Sequence, residues 1–402
     1  MLGNKETSKQ QVLPDYLPRK LSIAFWAWNW AVEPQPGDGF TNLDAALDAL
    51  VERGFNTIRI DALWSWAFDR EGKKRGEVEI GNAVEPGYCN YCPGLTARGG
   101  GRVNVLDEII RLFHLADERD IYVALTSWEF QPGHSVGFLA DPALRNEILN
   151  VSEEERFMYL ARQCDRLLQE IKHHGLERRI AYVEIHNELG CVTAMGFPGT
   201  RTAVEKGLAF LRERHPDILF TDDHQVDRSP DSAFDYNTAI AFLDNFATNA
   251  QLLDHHLYVG GIQYALFREA GVMPLRGSNQ DAAMERLERE NELFRWLLKP
   301  NSPSWKEFSR HFTCDWFKTW RPLFYLYENL NIDNYDFWMF RHYPEYEDRM
   351  RGFWKNYIQL LSHHAQQRKL PIICDEGYIF WPPMHSKFET SSVGKSNFEF
   401  II

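Results

Sequence analysis

The sequence predicts an α/β fold, a (β/α)8 TIM barrel that lacks its eighth βα unit, and three observations support this prediction. Short apolar runs rich in Ile and Val alternate with amphipathic helical patterns, which is typical of repeated βα units around a parallel sheet. Polar residues follow several of these runs, as they do at the mouth of a barrel. The last run ends at Glu376 of 402 residues, which leaves too short a segment for another strand and helix.

Seven runs are predicted to be strands because each is short and contains β-branched or aromatic residues. In chain order they are residues 21–28, 56–61, 121–128, 180–186, 217–223, 252–259 and 370–376. The run "AYVEIHNELG" is notable because apolar residues lead directly into His186, Asn187 and Glu188. A buried strand of this kind is a rigid mount for the polar side chains at its end.

Amphipathic helices are predicted between the strands. In residues 41–54, Leu43, Leu47 and Leu50 recur at helical spacing, and Gly54 suits the end of the helix. Residues 103–120 and 153–175 show the same pattern.

The chain is predicted to form one domain over residues 21–402, after an N-terminal tail over residues 1–20. Two insertions, residues 62–102 and 260–345, follow the second and sixth strands and are longer than ordinary connections. The second insertion is dense in Trp, Tyr and Phe. It fits either a lid with stacking surfaces or a helical hairpin packed against the barrel.

Composition limits the classes of partner. The chain is 44% hydrophobic and 25% charged, as soluble globular proteins are, and its 14% of aromatic residues includes rings suited to stacking on sugars. A formal charge of -13 argues against nucleic acids and anionic membranes as partners. Because no segment resembles a signal peptide or a membrane helix, we expect a cytoplasmic protein. The aromatic rings suit a carbohydrate as the ligand.

No metal or other cofactor is expected. The six cysteines are scattered as reduced thiols would be, and the single CxxC formed by Cys89 and Cys92 has no second pair of ligands. A metal-dependent hydrolase using His186, Asp223 and the pair His255 and His256 is an alternative. It is disfavoured because neighbouring residues of a strand point to opposite faces, and no HExxH motif occurs.

Two carboxylates at the predicted barrel mouth suit glycoside hydrolysis. Glu188 follows the fourth strand and Glu376 ends the seventh. Such a reaction needs one carboxylic acid to protonate the leaving oxygen and one carboxylate to attack or to activate water. Arg59, at the end of the second strand, would favour an ionised Glu376, whereas a more enclosed Glu188 would keep its proton. Asn187 would supply an amide for the sugar 2-hydroxyl.

The segments "NTIRID", "VEIHNEL", "DHHLYV" and "IICDEGY" make the chain resemble the clan A glycoside hydrolases, the cellulase-like barrels typified by family 5. More narrowly, it is similar to the predicted sugar-binding, cellulase-like proteins. The resemblance implies a retaining mechanism with Glu188 as acid/base and Glu376 as nucleophile. Further sugar-binding residues expected at the mouth are Arg59, Asp61, Trp128, His186, Asn187, His256, Tyr258, Tyr378 and Trp381.

The resemblance also has departures. The family's aromatic residue on the eighth strand has no counterpart before the chain ends, and Trp381 is the expected substitute. Residues 126–130 read "TSWEF" where many family 5 enzymes carry a histidine. A sugar-binding protein without catalytic activity therefore stays an alternative, and the sequence predicts neither the sugar, nor the linkage, nor the oligomeric state.

Overall fold

The architecture is taken from a computed structural model of the chain. The residues that it describes are 13–32, 39–81, 100–130, 135–188, 200–225, 236–244, 246–257, 261–272, 279–312, 321–377, 383 and 385–401.

Strands occur at all seven predicted positions. In chain order the strands of the described residues are β1 (Ile23–Ala27), β2 (Thr57–Asp61), β3 (Glu77–Ile80), β4 (Gly101–Asn104), β5 (Tyr122–Thr126), β6 (Ile180–Glu184), β7 (Phe220–Thr221), β8 (Asp223–Gln225), β9 (Leu253–Leu257) and β10 (Ile372–Gly377). The run predicted over residues 217–223 becomes two short strands, because the chain changes its pairing partner at Asp222. β7 pairs with β6, and β8 pairs with β9.

The barrel strands form two parallel sheets in the described part of the chain. One has the order β1, β2, β5, β6, β7 and the other has the order β10, β9, β8. β1 and β10 lie beside each other, but no ladder of hydrogen bonds joins them among the described residues, so the ring of strands is not closed there. β3 and β4 form a separate antiparallel ribbon within the first insertion.

The helices surround the sheets. They are α1 (Asn29–Val32), α2 (Leu43–Glu52), α3 (Trp64–Ala67), α4 (Val105–Asp117), α5 (Pro142–Leu149), α6 (Glu153–His173), α7 (Thr200–Arg214), α8 (Tyr236–Asp244), α9 (Gly261–Glu269), α10 (Gln280–Glu290), α11 (Glu292–Leu297), α12 (Trp305–Phe308), α13 (Arg321–Asn329), α14 (Ile332–Arg368), α15 (Lys387–Thr390) and α16 (Ser392–Ile401). Among the described residues, none of these helices is both long enough and apolar enough to cross a membrane.

The helices form where the apolar spacing and the capping residues agree. In α2, Leu43, Leu47 and Leu50 are buried, and the Asn42 side chain accepts a hydrogen bond from the Ala45 N–H at the start of the helix. Gly54 has a φ of +83°, the left-handed conformation that a helix end often requires.

The second insertion is helical in its described parts, and most of its aromatic residues are buried. Trp305, Tyr325 and Tyr335 pack within the core. The hydroxyl of Tyr325 donates to Glu288, 2.8 Å away. These contacts suit the helical alternative, although Trp296 and Phe337 remain exposed.

Four residues that are in register on neighbouring strands form one layer of side chains inside the barrel, beneath its mouth. Phe25 pairs with Arg59, Arg59 with Ala124, and Ala124 with Tyr182 on neighbouring parallel strands. In-register residues of a parallel sheet point to the same face, so these four side chains share the interior. The small side chain of Ala124 leaves room for the long side chains on both sides of it.

Candidate active site

Arg59 of β2 is the centre of the polar network inside the barrel. Its side chain is fully buried, and Nη1 donates to Glu376 Oε2 at 3.0 Å. Nη2 donates to Glu184 Oε2 and to Asn187 Oδ1, each at 2.6 Å, and Nε lies 2.7 Å from Asp375 Oδ2. A planar guanidinium can hold several oxygens at once in this way, which a lysine could not do.

Glu188 and Glu376 come together across the interior. One carboxylate oxygen of each, together with a ring nitrogen of His256, all lie within 4.8 Å of one another. Glu188 follows the end of β6 at a φ of +46°, and its N–H donates to Asp223 Oδ2 at 3.0 Å, which fixes the backbone at this turn. The Glu188 residue is 8% exposed, and the Glu376 side chain is 15% exposed.

His256 of β9 links the two glutamates. Its Nδ1 lies 3.1 Å from Glu188 Oε1, and its Nε2 lies 3.6 Å from Glu376 Oε2. Nε2 is also 3.2 Å from Asp223 Oδ2 and 3.3 Å from Asp375 Oδ1. Burial alone lowers the pKa of His256, but Asp223, Glu376 and the hydrogen-bonded carboxylates raise the pKa well above its ordinary value. The surrounding carboxylates therefore favour the protonated form of the imidazole.

A second group of carboxyls lies deeper in the barrel. Oxygens of Glu184, Asp254 and Asp375 lie within 4.8 Å of one another, and all three residues are buried. Burial raises the pKa of Glu184 to about 8 and, with Asp375 and Glu184, raises the pKa of Asp254 well above its ordinary value. Burial also favours the neutral form of Asp375, but Arg59 and His256 outweigh it and hold the pKa of Asp375 below its ordinary value.

The arrangement of charge follows from these contacts. Arg59 and His256 favour the ionised form of Asp375, whereas burial favours the protonated forms of Glu184 and Asp254 and, at Glu184, outweighs the contact with Arg59. Burial raises the pKa of Asp223 to about 6. The interior thus mixes ionised and protonated carboxyls, as sites of acid/base chemistry do.

Asp61 belongs to a different buried group. Its Oδ1 accepts a hydrogen bond from the Leu63 N–H at 3.0 Å. Burial, with the neighbouring carboxyl of Glu129, raises the pKa of Asp61 well above its ordinary value. Glu129 accepts hydrogen bonds from the hydroxyls of Ser127 and Ser65. Asp61 is fully buried within this group.

Other predicted binding residues are placed as follows. The Trp128 ring lies under Arg59, with the guanidinium carbon 4.8 Å from the ring centroid, and is only 1% exposed. His186 is buried and stacks on Phe130 at 6.4 Å between ring centroids. Asn187 is held by Arg59 and by its own N–H, which donates to the Ser127 carbonyl at 2.9 Å. The predicted binding residues Tyr258, Tyr378 and Trp381, and the cysteine pair Cys89 and Cys92, lie outside the described residues.

The sequence reasoning missed Glu184 and Asp254 as members of the network. Glu184 is the last residue of the buried strand β6, and Asp254 lies next to two histidines in the buried strand β9. A buried carboxyl of this kind is costly unless it is paired or protonated. The free-energy cost of burying these carboxyls indicates that the barrel interior holds polar partners for them.

Two sets of described residues have the spacing to hold a metal ion. They are Glu188 with His256 and Glu376, and Glu184 with Asp254 and Asp375. In the first set both imidazole nitrogens face carboxylates, and in the second Arg59 already lies against two of the three carboxylates. Each set therefore already has a basic side chain, His256 in the first and Arg59 in the second, in contact with its carboxyl groups.

Comparison with known proteins gives one family. Residues 23–215 match the family described as sugar-binding cellulase-like. No match was found among curated proteins. The resemblance to a cellulase-like family is thereby confirmed.

One solved structure shares the fold of the chain. A protein from Parabacteroides distasonis ATCC 8503, provisionally described as a glycoside hydrolase, is 18% identical at a TM-score of 0.60, over 97% of this chain and 83% of that chain. That likeness confirms the α/β barrel fold. Two others are more distant: a GH5_18 from Streptomyces cattleya in complex with GlcNAc (13% identity, TM-score 0.36, 67% of this chain and 58% of that chain) and the exo-beta-1,4-mannosidase Op5Man5 from Opitutaceae bacterium strain TAV5 (13% identity, TM-score 0.38, 77% and 52%).

Proposed function

The matches support a cellulase-like family for this chain, and on that premise we propose that it is a retaining glycoside hydrolase. It would cleave the O-glycosidic bonds of an oligosaccharide or a β-glycoside by double displacement, with Glu376 as nucleophile and Glu188 as acid/base. The family's description as sugar-binding supports a carbohydrate as the ligand.

The observation that carries the proposal is the separation of the two glutamates. Their nearest carboxylate oxygens lie within 4.8 Å of each other. Retaining enzymes hold the two carboxyls about 5 to 5.5 Å apart, whereas inverting enzymes hold them about 6.5 to 9.5 Å apart to admit a water molecule. A spacing this short favours direct attack by one carboxylate.

The contacts of Glu376 suit its proposed role. Arg59, 3.0 Å from Glu376, stabilises the ionised nucleophile, which attacks the anomeric carbon as the bond to the leaving oxygen breaks. Glu188 donates its proton to that oxygen. It later accepts a proton from the water that hydrolyses the glycosyl-enzyme.

Asn187 is oriented for a contact with the sugar. Its Oδ1 accepts from Arg59 Nη2 at 2.6 Å, which fixes the amide so that its NH2 group lies on the other side. That group can donate to the 2-hydroxyl, a contact that strengthens in the transition state.

A second candidate is a sugar-binding protein without catalysis. It is favoured by the position of His256, whose imidazole contacts both glutamates and so lies in the region where the reacting carbon would sit. In that case the glutamates would bind sugar hydroxyls only.

Glu188→Gln and Glu376→Gln test the proposal, with Glu290→Gln on the surface as the matched control. We expect hydrolysis of 4-nitrophenyl β-D-pyranosides by the wild type and by the control, and a loss of at least about a thousandfold in each site variant. Turnover retained in the site variants would overturn the proposal. Binding of methyl pyranosides by calorimetry, without any product from the wild type, would establish the second candidate.

A further inference from the structure

We propose that Phe25 of β1 is the surface on which the sugar ring stacks beside Glu376, and that this sugar is a pyranose. The inference rests on the proposed function and adds a specificity-determining residue to it. The strands predicted from the sequence did not single out Phe25.

The strand register directs Phe25 toward the site. Phe25 pairs with Arg59 across the parallel strands β1 and β2, so both side chains lie on the interior face. The Arg59 guanidinium carbon is 5.4 Å from the centroid of the Phe25 ring, and its Nη1 is 3.0 Å from Glu376. The Arg59 side chain therefore contacts both the Phe25 ring and the carboxylate of the proposed nucleophile.

The exposure of Phe25 differs from that of its neighbours. Phe25 is 41% exposed, although the adjacent residues Ala24 and Trp26 are each 8% exposed. The Trp128 ring, whose centroid is 5.7 Å away, is buried beneath Arg59. Of the two rings that contact Arg59 in the described chain, Phe25 is the one that offers an open face.

The backbone of β1 is irregular where it presents Phe25. The register with β2 shifts between Phe25 and Ala27, and Ala27 has a φ of +47°. A non-glycine residue in this conformation is strained, and irregularities of this kind occur next to active sites, where they re-aim a side chain. The strain is consistent with a functional position for the exposed ring.

The chemistry of an open phenyl face selects the type of sugar. A pyranose in a chair presents a flat patch of axial C–H groups that covers a six-membered aromatic ring, whereas a puckered furanose does not. Stacking also holds the anomeric carbon at a fixed height over Arg59 and Glu376, which is the positioning that the attack requires.

The test compares Phe25→Leu and Phe25→Trp with Phe337→Leu as the matched control. Phe337 is an exposed phenylalanine of α14, 57% exposed, that stacks edge-on with Trp296. The probes are 4-nitrophenyl β-D-gluco-, manno-, galacto- and xylopyranoside and 4-nitrophenyl α-L-arabinofuranoside, with methyl pyranosides for calorimetry. Thermal unfolding of each variant checks that it folds.

We expect Phe25→Leu to lower kcat/KM for the pyranosides roughly 3- to 10-fold, and to weaken methyl pyranoside binding by a similar factor. Phe25→Trp should stay close to the wild type, and Phe337→Leu should be unchanged. A folded Phe25→Leu variant with wild-type kcat/KM and binding would overturn the inference while the proposed function stands. A wild type that neither cleaves nor binds any of these sugars would instead overturn the proposed function itself.

Discussion

Arg59 Nη1 donates a 3.0 Å hydrogen bond to Glu376 Oε2 from a side chain that is fully buried. The same guanidinium contacts Glu184, Asp375 and Asn187, so one cation both fixes the proposed nucleophile and balances the acidic interior. We therefore expect both the stability and the proposed activity to depend on Arg59.

Replacing Arg59 with Met tests that dependence. The change removes the charge and leaves buried carboxylates without their partner, so we expect a loss of roughly 3 to 5 kcal/mol in the free energy of unfolding. Urea denaturation measures it. The control is Arg289→Met, because Arg289 is exposed and pairs only with Glu290 among the contacts described, and it should change stability little. Equal effects of the two substitutions would contradict the role of Arg59.

Glu184→Gln tests the proton held in the deeper carboxyl group. Burial raises the pKa of Glu184 from 4.5 to about 8, so between these values the folded protein binds a proton that the unfolded chain has released. Wild-type stability should therefore fall as the pH rises from about 4.5 to about 8, because linkage favours the state that binds more protons at low pH.

The neutral amide at position 184 removes this dependence. Relative to the wild type, Glu184→Gln should gain stability from pH 5 to pH 8.5, by an amount on the order of a few kcal/mol, in urea titrations at the two values. A difference that is the same at both pH values would show that Glu184 is ionised in the folded protein.

Gly377→Ala tests how closely the backbone behind Glu376 is packed. Gly377 has a φ of +150°, and a Cβ there would overlap the carbonyl group of Leu257 on β9. We expect Ala to push β10 away from β9, displace Glu376, and lower both kcat/KM and the melting temperature, at a cost of roughly 1 to 3 kcal/mol.

Gly352→Ala is the matched control because Gly352 lies in α14 with nothing within 4 Å of an added Cβ. It should be neutral, or stabilising by about 0.5 to 1 kcal/mol. Wild-type activity in Gly377→Ala would show that Glu376 does not depend on this close approach.

The sequence predicted the scaffold better than the interior. Strand positions could be read from apolar runs, and the ends of β6 and β10 led to Glu188 and Glu376 because parallel strands bring their ends to one face. Of the partners of Arg59, Glu376 was predicted from the sequence, but Glu184 was not. Whether Glu184 of β6 reaches its guanidinium depends on strand register, which a run of apolar residues leaves open.

The role proposed for Phe25 could not be predicted from the sequence either. In the sequence it is one more aromatic residue in an apolar run, and only the pairing with Arg59 and the exposed ring distinguish it. Asp61 and Trp128 were predicted as binding residues from their positions at strand ends, and both are buried. A position at a strand end therefore does not tell how exposed a side chain is.

Trapping with a 2-deoxy-2-fluoro glycoside that carries a good leaving group tests the role of Glu376 most directly. The fluorine slows both steps, so a retaining enzyme accumulates the glycosyl-enzyme, which mass spectrometry of peptides locates. We expect a single label on Glu376 and none in Glu376→Gln. A label on another residue, or turnover of glycosides by the wild type with no label at all, would contradict Glu376 as the nucleophile.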